Sequence, residues 1–427
     1  MKNKILIFLS LALAFGFFSC SKDDDVNTNL PPTMDVRPVE KTNHDTKVWA
    51  HFMLWYETPE STGDAWGSHW SKGVPYPVEV NGVWQNLFTR FAPLTGPYFS
   101  RDNVILEYQL LLMKYSGIDG VLADWYGVDD RGQKEDKTAA LEALFAMCKE
   151  TGIELAVCYE DRFKTQATDA ERIASIQVDM DYLQAHFFTQ RIHSKIDGQP
   201  LLLIFGPKVE GTGGLAATAD NWNQVFANLN PKPAFYPLEG KQQLLVNQGV
   251  ARATYNWANN SNLGASDNFY LNQFNDAAAT TLKMLVAMPG FNDVYNGVSA
   301  APAMRVTPHN GGAFFQQQLN LAAQYKPKYL QICTWNDYGE GTIIEPTAPN
   351  AEQNGNNPYI YLEQMQVFTG VTSAGADILP QIKRLYDLRA ANRGNAQMNE
   401  RLDLAFFYFR SMQPDKAIKQ MDRIEQQ

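Results

Sequence analysis

Metal-binding residues are scarce in this chain. Six histidines are spread over 427 residues, and none forms an H-x-H pair. A metal hydrolase on a strand scaffold needs clustered histidines, so no metal is expected. Cysteine is scarce as well. Cys148, Cys158 and Cys333 sit in apolar helix or strand patterns, with no C-x-x-C spacing and no even disulfide set. They read as buried free thiols. Positive charge is in deficit: 36 Lys and Arg against 46 Asp and Glu leave a net charge of −10. With no Lys/Arg stripe, nucleic acid is excluded as a partner. No Gly-rich phosphate loop follows the first strand pattern, which removes the usual reason to infer an open doubly wound sheet. No cofactor is expected.

Aromatics, by contrast, are plentiful: 9 Trp, 19 Tyr and 24 Phe. They fill a large core, and they also supply faces on which sugar rings pack. The N-terminus is organised for targeting. Lys2 and Lys4 precede an apolar run, Ile5–Phe18, of signal-peptide length and too short to span a membrane. The following Ser19-Cys20 resembles a bacterial lipoprotein cleavage site. That resemblance implies removal of residues 1–19, lipidation of the Cys20 thiol and anchoring at the cell envelope, in the outer membrane. Asp23-Asp24-Asp25 resembles the surface-export signal of lipoproteins in the Bacteroides group. A plain secretory signal with an incidental cysteine is the alternative. Residues 20–47 are polar, contain proline and read as a flexible tether.

From residue 48 short apolar runs alternate with helical patterns. Strands are predicted at Val48–Tyr56, Gly120–Trp125, Glu154–Glu160, Pro200–Phe205, Ala234–Leu238, Ala251–Trp257, Lys283–Met288 and Tyr329–Trp335. Helices are predicted between them, among them Asp102–Ser116, Lys137–Thr151, Asp169–Ala185, Asn268–Thr281 and Gly312–Tyr325. Eight buried strands alternating with helices indicate parallel βαβ units. Eight is the number that closes a (β/α)8 TIM barrel. The expected fold is therefore α/β, a catalytic barrel over 48–370. Residues 371–427 should add C-terminal helices packed on its outside, with a helical protein-interaction appendage as the alternative.

In such a barrel the site lies at the C-terminal strand ends. Those ends carry Trp55 and Tyr56; Asp124, Trp125 and Tyr126; Glu160; Trp257; Asn292 and Asp293; and Trp335, Asn336, Asp337 and Glu340. Nearly every one pairs an aromatic with an acid or amide. Turn-forming Asn and Asp and strand-favouring aromatics explain single cases; six together favour a site. The long insertion 57–101 brings His69 and Trp70, with Trp66 and Trp84, and reads as a wall of the cleft. Within Thr334–Gly341, Asp337 and Glu340 lie three residues apart beside a Trp, an Asn and a Tyr. Paired carboxylates are what cleavage of a glycosidic bond requires.

The order of these motifs resembles glycoside hydrolase families 99 and 71. The matching pieces run from Phe52-Met53-Leu54-Trp55-Tyr56 through His69-Trp70, Trp125-Tyr126-Gly127, Tyr159-Glu160 and Met288 to Asp293, to Trp335 through Pro346. The resemblance implies a (β/α)8 barrel that cleaves α-linked glycans internally, as the endo-mannosidases of family 99 and the α-1,3-glucanases of family 71 do. Trp335-Asn336-Asp337-Tyr338-Gly339-Glu340 is similar to the family 71 form. Gly341-Thr342 and Ile344-Glu345-Pro346 are similar to family 99, which has a Glu where this chain has Asp337. The resemblance makes Glu160 a ligand for a sugar hydroxyl.

Glu340 is assigned as the proton donor and Asp337 as the ionised partner, since neighbouring like charges split two carboxyl pKa values. A family-71-like Asp337 would activate water, with inversion and carboxyls roughly 6.5–9.5 Å apart. A family-99-like Asp337 would deprotonate the sugar 2-hydroxyl, forming a 1,2-anhydro sugar, with retention. The shorter Asp tilts the choice to water. Trp55, Tyr56, His69, Trp70, Asp124, Trp125, Tyr126, Trp257, Asn292, Asp293, Trp335 and Asn336 are the remaining substrate-binding candidates, and Glu345 is read as structural. The expected partner is an oligo- or polysaccharide, bound by a monomer. A non-catalytic glycan-binding lipoprotein is the alternative.

Overall fold

The computed structural model describes residues 35–426 apart from 64, 133–134, 209–212, 240–242, 259–271, 276–280, 296–305 and 372–376. The expected signal peptide, Cys20 and the start of the tether lie outside the described residues.

Seven parallel strands and one single-residue bridge close a ring. β1 (Lys47–Phe52) pairs with β4 (Gly120–Trp125), β4 with β5 (Glu154–Tyr159), β5 with β7 (Gln199–Ile204) and β7 with β8 (Ala234–Pro237). The ring continues through Tyr255, which bridges Leu238 on one side and Met284 on the other. β9 (Met284–Ala287) then pairs with β10 (Tyr329–Ile332), and β10 returns to β1. The remaining strands, β2 (Val78–Val80), β3 (Val83–Gln85) and β6 (Lys195–Ile196), pair antiparallel, β2 with β3 and β6 with β7. The fold is a (β/α)8 barrel.

The sixth barrel strand, expected over Ala251–Trp257, is thus reduced to Tyr255. Its neighbour β8 ends on Pro237, which has no N–H to extend a ladder. β1 is shorter than expected for another reason. At Met53 the backbone bonds to the Asn336 side chain instead of to a strand, Met53 N donating to Oδ1 at 2.8 Å, and Tyr56 N donates to Ser100 Oγ at 3.0 Å. The helix expected at Asn268–Thr281 falls mostly outside the described residues; Gln273–Asn275 forms a single 3-10 turn.

Strand alternation sorts the core into two layers. Val121, Ala123, Leu155, Val157, Leu202 and Ile204 pack outward against the helices. Trp49, Leu122, Cys158, Leu201, Leu203, Tyr255 and Tyr329 fill the barrel. The surrounding helices start at side-chain caps: Asp102 accepts from Val104 N, Asp136 from Ala139 N, and Thr168 from Glu171 N. Each cap satisfies an end N–H that the helix itself leaves unpaired.

Three helices follow the barrel, Ile378–Ala391, Ala396–Arg410 and Pro414–Glu425. The first two contact the barrel helix Asn103–Tyr115, and the third packs on those two. Arg389 Nε donates to Glu107 at 2.7 Å in a buried pair, and Tyr115 Oη donates to Phe409 O at 3.0 Å. Residues 35–46 correct the expectation of a free tether. Lys41 Nζ donates to Asp119 at 2.6 Å, and the backbone N–H groups of Thr42 and Asn43 donate to Gly370 and Thr369. This segment runs docked across the barrel to the start of β1, because its N–H and Lys groups find carbonyl and carboxylate partners there.

Candidate active site

The loop after β10 is built by its own polar residues. Thr334 Oγ1 accepts from Asp337 N at 2.7 Å, Asp337 Oδ1 accepts from Glu340 N at 2.9 Å, and Gly341 N donates to Asp337 O at 3.0 Å. Gly341 has φ 69°, and a Cβ there would lie 2.8 Å from Asn292 O, so only glycine allows this approach. The backbone of 292–294 clamps the loop from outside: Asn292 N donates to Glu340 O and Val294 N to Gly339 O, both at 3.0 Å. Asn336 clamps it from inside, holding Met53 through both its amide oxygen and its amide nitrogen.

Behind the loop, Glu345 is fully enclosed. Tyr98 Oη and Tyr338 Oη each donate to Oε2 at 2.8 Å, and Gln109 Nε2 donates to Oε1 at 2.7 Å. Burial still pushes its carboxyl up to about 7. Glu345→Ala leaves three buried donors without an acceptor and should cost about 3 kcal/mol, read as a lower urea midpoint at constant m value. An unchanged midpoint would remove Glu345 from the loop's support.

Asp337 and Glu340 both line one cleft of about 680 Å³ at the C-terminal mouth of the barrel. Asp337 is buried, and burial pushes its carboxyl up to about 6 against the lowering effect of the backbone N–H groups of Glu340 and Gly339. Glu340 is raised well above the usual carboxyl range, first by burial and then by the charges of Asp337, Asp293 and Glu160. Its Oε2 has no hydrogen-bond partner. Two carboxyls three residues apart are therefore held in different protonation environments, the requirement for an acid and a base in one site.

Across the cleft stand Asp124 and Glu160. Burial and the adjacent Glu160 raise Asp124 well above normal; burial raises Glu160 to about 7, opposed by Arg162. Arg162 pairs directly with Glu160. Aromatic rings complete the walls. His69 stacks on Trp55 at 4.3 Å, Tyr126 packs on Phe163 at 4.9 Å and Trp257 on Phe205 at 5.1 Å. Burial lowers His69 to about 4, so it meets a substrate as the neutral ring, able to donate one N–H.

The cleft collects Trp55, His69, Asp124, Tyr126, Glu160, Trp257, Asp337 and Glu340 from the expected set. Six other candidates, Tyr56, Trp70, Trp125, Asn292, Trp335 and Asn336, do not line it, and neither does Asp293. Tyr56 Oη donates to Asn336 O at 2.6 Å beneath the loop. Trp70 packs on Tyr56 and Tyr338, and Trp125 donates to Thr138 on the outer face. The reason is strand parity: Asp124 faces inward, so Trp125 faces out. Trp335 is fully buried, and Asn292 and Asp293 stand behind Glu340. Arg162, Tyr295, Phe205 and His51 line the cleft without having been expected. Arg162 had a signal in the sequence, since a buried Glu160 needs a nearby cation.

A closed parallel barrel with paired carboxylates among aromatic rings at its C-terminal mouth is the architecture of a glycoside hydrolase. No protein-family profile matches the chain. The chain is 23% identical over 356 residues to a human glycoprotein endo-alpha-1,2-mannosidase-like protein, covering 76% of each. It is 20% identical over 357 residues to the glycoprotein endo-alpha-1,2-mannosidase of Xenopus laevis, covering 77% of each. Among solved structures, the GH99 endo-alpha-mannosidase from Bacteroides thetaiotaomicron superposes with a TM-score of 0.57 at 16% identity, covering 80% of this chain and 100% of that one. Fold and sequence both resemble GH99 endo-alpha-mannosidases.

Proposed function

We propose that this chain is a glycoside hydrolase that cuts α-linked mannan or a related α-linked glycan internally, with Glu340 as acid and Asp337 as base. The observation that carries this reading is the placement of both carboxyls in one cleft, each raised by burial and held by one loop. The acid gives its proton to the departing glycosidic oxygen. The base acts on water or on the sugar 2-hydroxyl, and the short Asp337 side chain favours water. Trp55, Tyr126 and Trp257 offer ring faces to the sugar, and Asp124, Glu160 and His69 offer polar groups to its hydroxyls. The similarity to endo-alpha-1,2-mannosidases favours a mannose-containing substrate, while the Asp at 337 leaves α-1,3-glucan as the second substrate to test. Reducing-end release from a panel of α-linked mannans and α-1,3-glucan tests the reading. Internal cleavage of one of them is expected. A folded protein that binds the panel without cutting any member would instead support a glycan-binding lipoprotein.

The enzyme acts as a monomer on a lipid anchor at the cell envelope, in the outer membrane. Lys2, Lys4, the apolar run Ile5–Phe18 and Cys20 support this. Cys20→Ala should move the protein from the membrane pellet to the soluble fraction after cell lysis. Retention in the pellet would rule out lipid anchoring at that position.

A further inference from the structure

β1, β4 and β5 each turn one metal-ligating side chain into the barrel at or just below the cleft floor. His51, Asp124 and Cys158 place one such atom each within 4.8 Å of one another. All three residues are buried, at 1%, 1% and 0% exposure. Neither carboxylate oxygen of Asp124 receives a hydrogen bond from an N–H or a hydroxyl; its partner is the Glu160 carboxyl, with which it shares a proton. Nδ1 of His51 has no partner. Cys158 Sγ meets Tyr255 Oη at 3.5 Å and the backbone N–H of Phe205. Buried polar groups are nearly always paired. Imidazole, carboxylate and thiol converge here with one orphaned ring nitrogen and a proton shared between two acids, an arrangement that a cation would satisfy more fully.

We propose that His51, Asp124 and Cys158 bind a zinc ion that shuts the cleft to substrate. The donor set selects the metal. Thiolate and imidazole suit zinc, whereas calcium and magnesium take oxygen ligands. Three protein ligands leave the fourth tetrahedral position open. His51 and Asp124 line the cleft, while Cys158 lies beneath it, so the open position faces the sugar site. Charge balances: the Cys158 thiol loses its proton to solvent, the proton shared by Asp124 and Glu160 stays on Glu160, Asp124 binds as carboxylate, and His51 binds neutral. The ion's two positive charges meet two negative ones. Once bound, the ion withdraws Asp124 from the sugar and fills the floor on which the ring would rest. No sequence spacing announces the set, because its members come from three different strands.

The closure half rests on the hydrolase reading; the binding half does not. Cobalt(II), added to the intact protein freed of metal with a chelator, reports the site through a thiolate-to-cobalt charge-transfer band. One equivalent is expected to give that band, and Cys158→Ser, checked for folding by circular dichroism, is expected to lose it. Zinc should inhibit wild-type hydrolysis, reversibly on adding chelator. Cys158→Ala should hydrolyse at the wild-type rate without zinc, and its sensitivity to zinc should fall by about tenfold or more. No charge-transfer band in the wild type, or the same band in Cys158→Ser, overturns the site. A band with no inhibition of an active enzyme overturns the closure. If no substrate is cut at all, the band still decides whether the metal binds.

Discussion

Glu340→Gln should lower kcat by about 10³-fold, within the range that general acid catalysis supplies, and leave KM nearly unchanged. The amide keeps the shape of the side chain, and Glu340 N still donates to Asp337, so the loop is preserved. What is lost is the proton. In the wild type that proton is held by burial and by the charges of Asp337, Asp293 and Glu160. Substrates with a good leaving group need little protonation, so their loss should be far smaller. A uniform loss on good and poor leaving groups would instead mean that Glu340 positions substrate. The wild-type rate should also fall at alkaline pH as Glu340 ionises, and Glu340→Gln should no longer show that fall.

Asp337→Asn should be about as damaging and should affect the opposite side of the pH profile. Asp337 must be ionised to act as a base, and its carboxyl stands at about 6. Activity in the wild type should therefore drop as pH falls through about 6. Stability runs the other way. Asp337, Glu160 and Glu345 have folded-state pKa values raised above their unfolded ones. The folded state thus holds these protons more tightly. Their contribution is full below about 4 and is lost as pH rises through about 6 to 7. Buried His51, His69, His193 and His309, each lowered by burial, oppose this by costing stability as pH falls, so the carboxyl contribution is read by comparison: thermal melts of wild type should fall relative to Asp337→Asn as pH rises through about 6. A constant difference between the two across that range would mean that Asp337 is not buried as described. If Asp337 activates water, azide should restore part of the activity of Asp337→Asn and form a glycosyl azide. If it deprotonates the sugar 2-hydroxyl, no azide product forms.

The loop from Thr334 to Gly341 was legible in the sequence because its chemistry is local. Spacing alone puts Asp337 and Glu340 on one turn, and Gly341 marks where the backbone needs a positive φ. The barrel was legible because buried parallel strands read as apolar runs. What escaped was parity and partnership. Asp124, Trp125 and Tyr126 are consecutive, yet alternation sends the first and third to the cleft and the second to the outer face. Tyr56, Trp335 and Asn336 carry site-like chemistry but are consumed in holding the loop. Arg162 and Tyr295 reach the cleft from loops whose paths no periodicity specifies. The grouping of His51, Asp124 and Cys158 needed the barrel's closure before it could be seen.

The most direct test follows the first minutes of reaction on soluble α-linked mannan by proton NMR, comparing wild type with the Asp337→Asn, Glu340→Gln double variant. Wild type should release internal fragments whose new reducing ends all share one anomeric configuration, inverted if water attacks. The double variant should bind the same mannan and release nothing. New reducing ends from the double variant at the wild-type rate would contradict the pairing of these two carboxyls as acid and base.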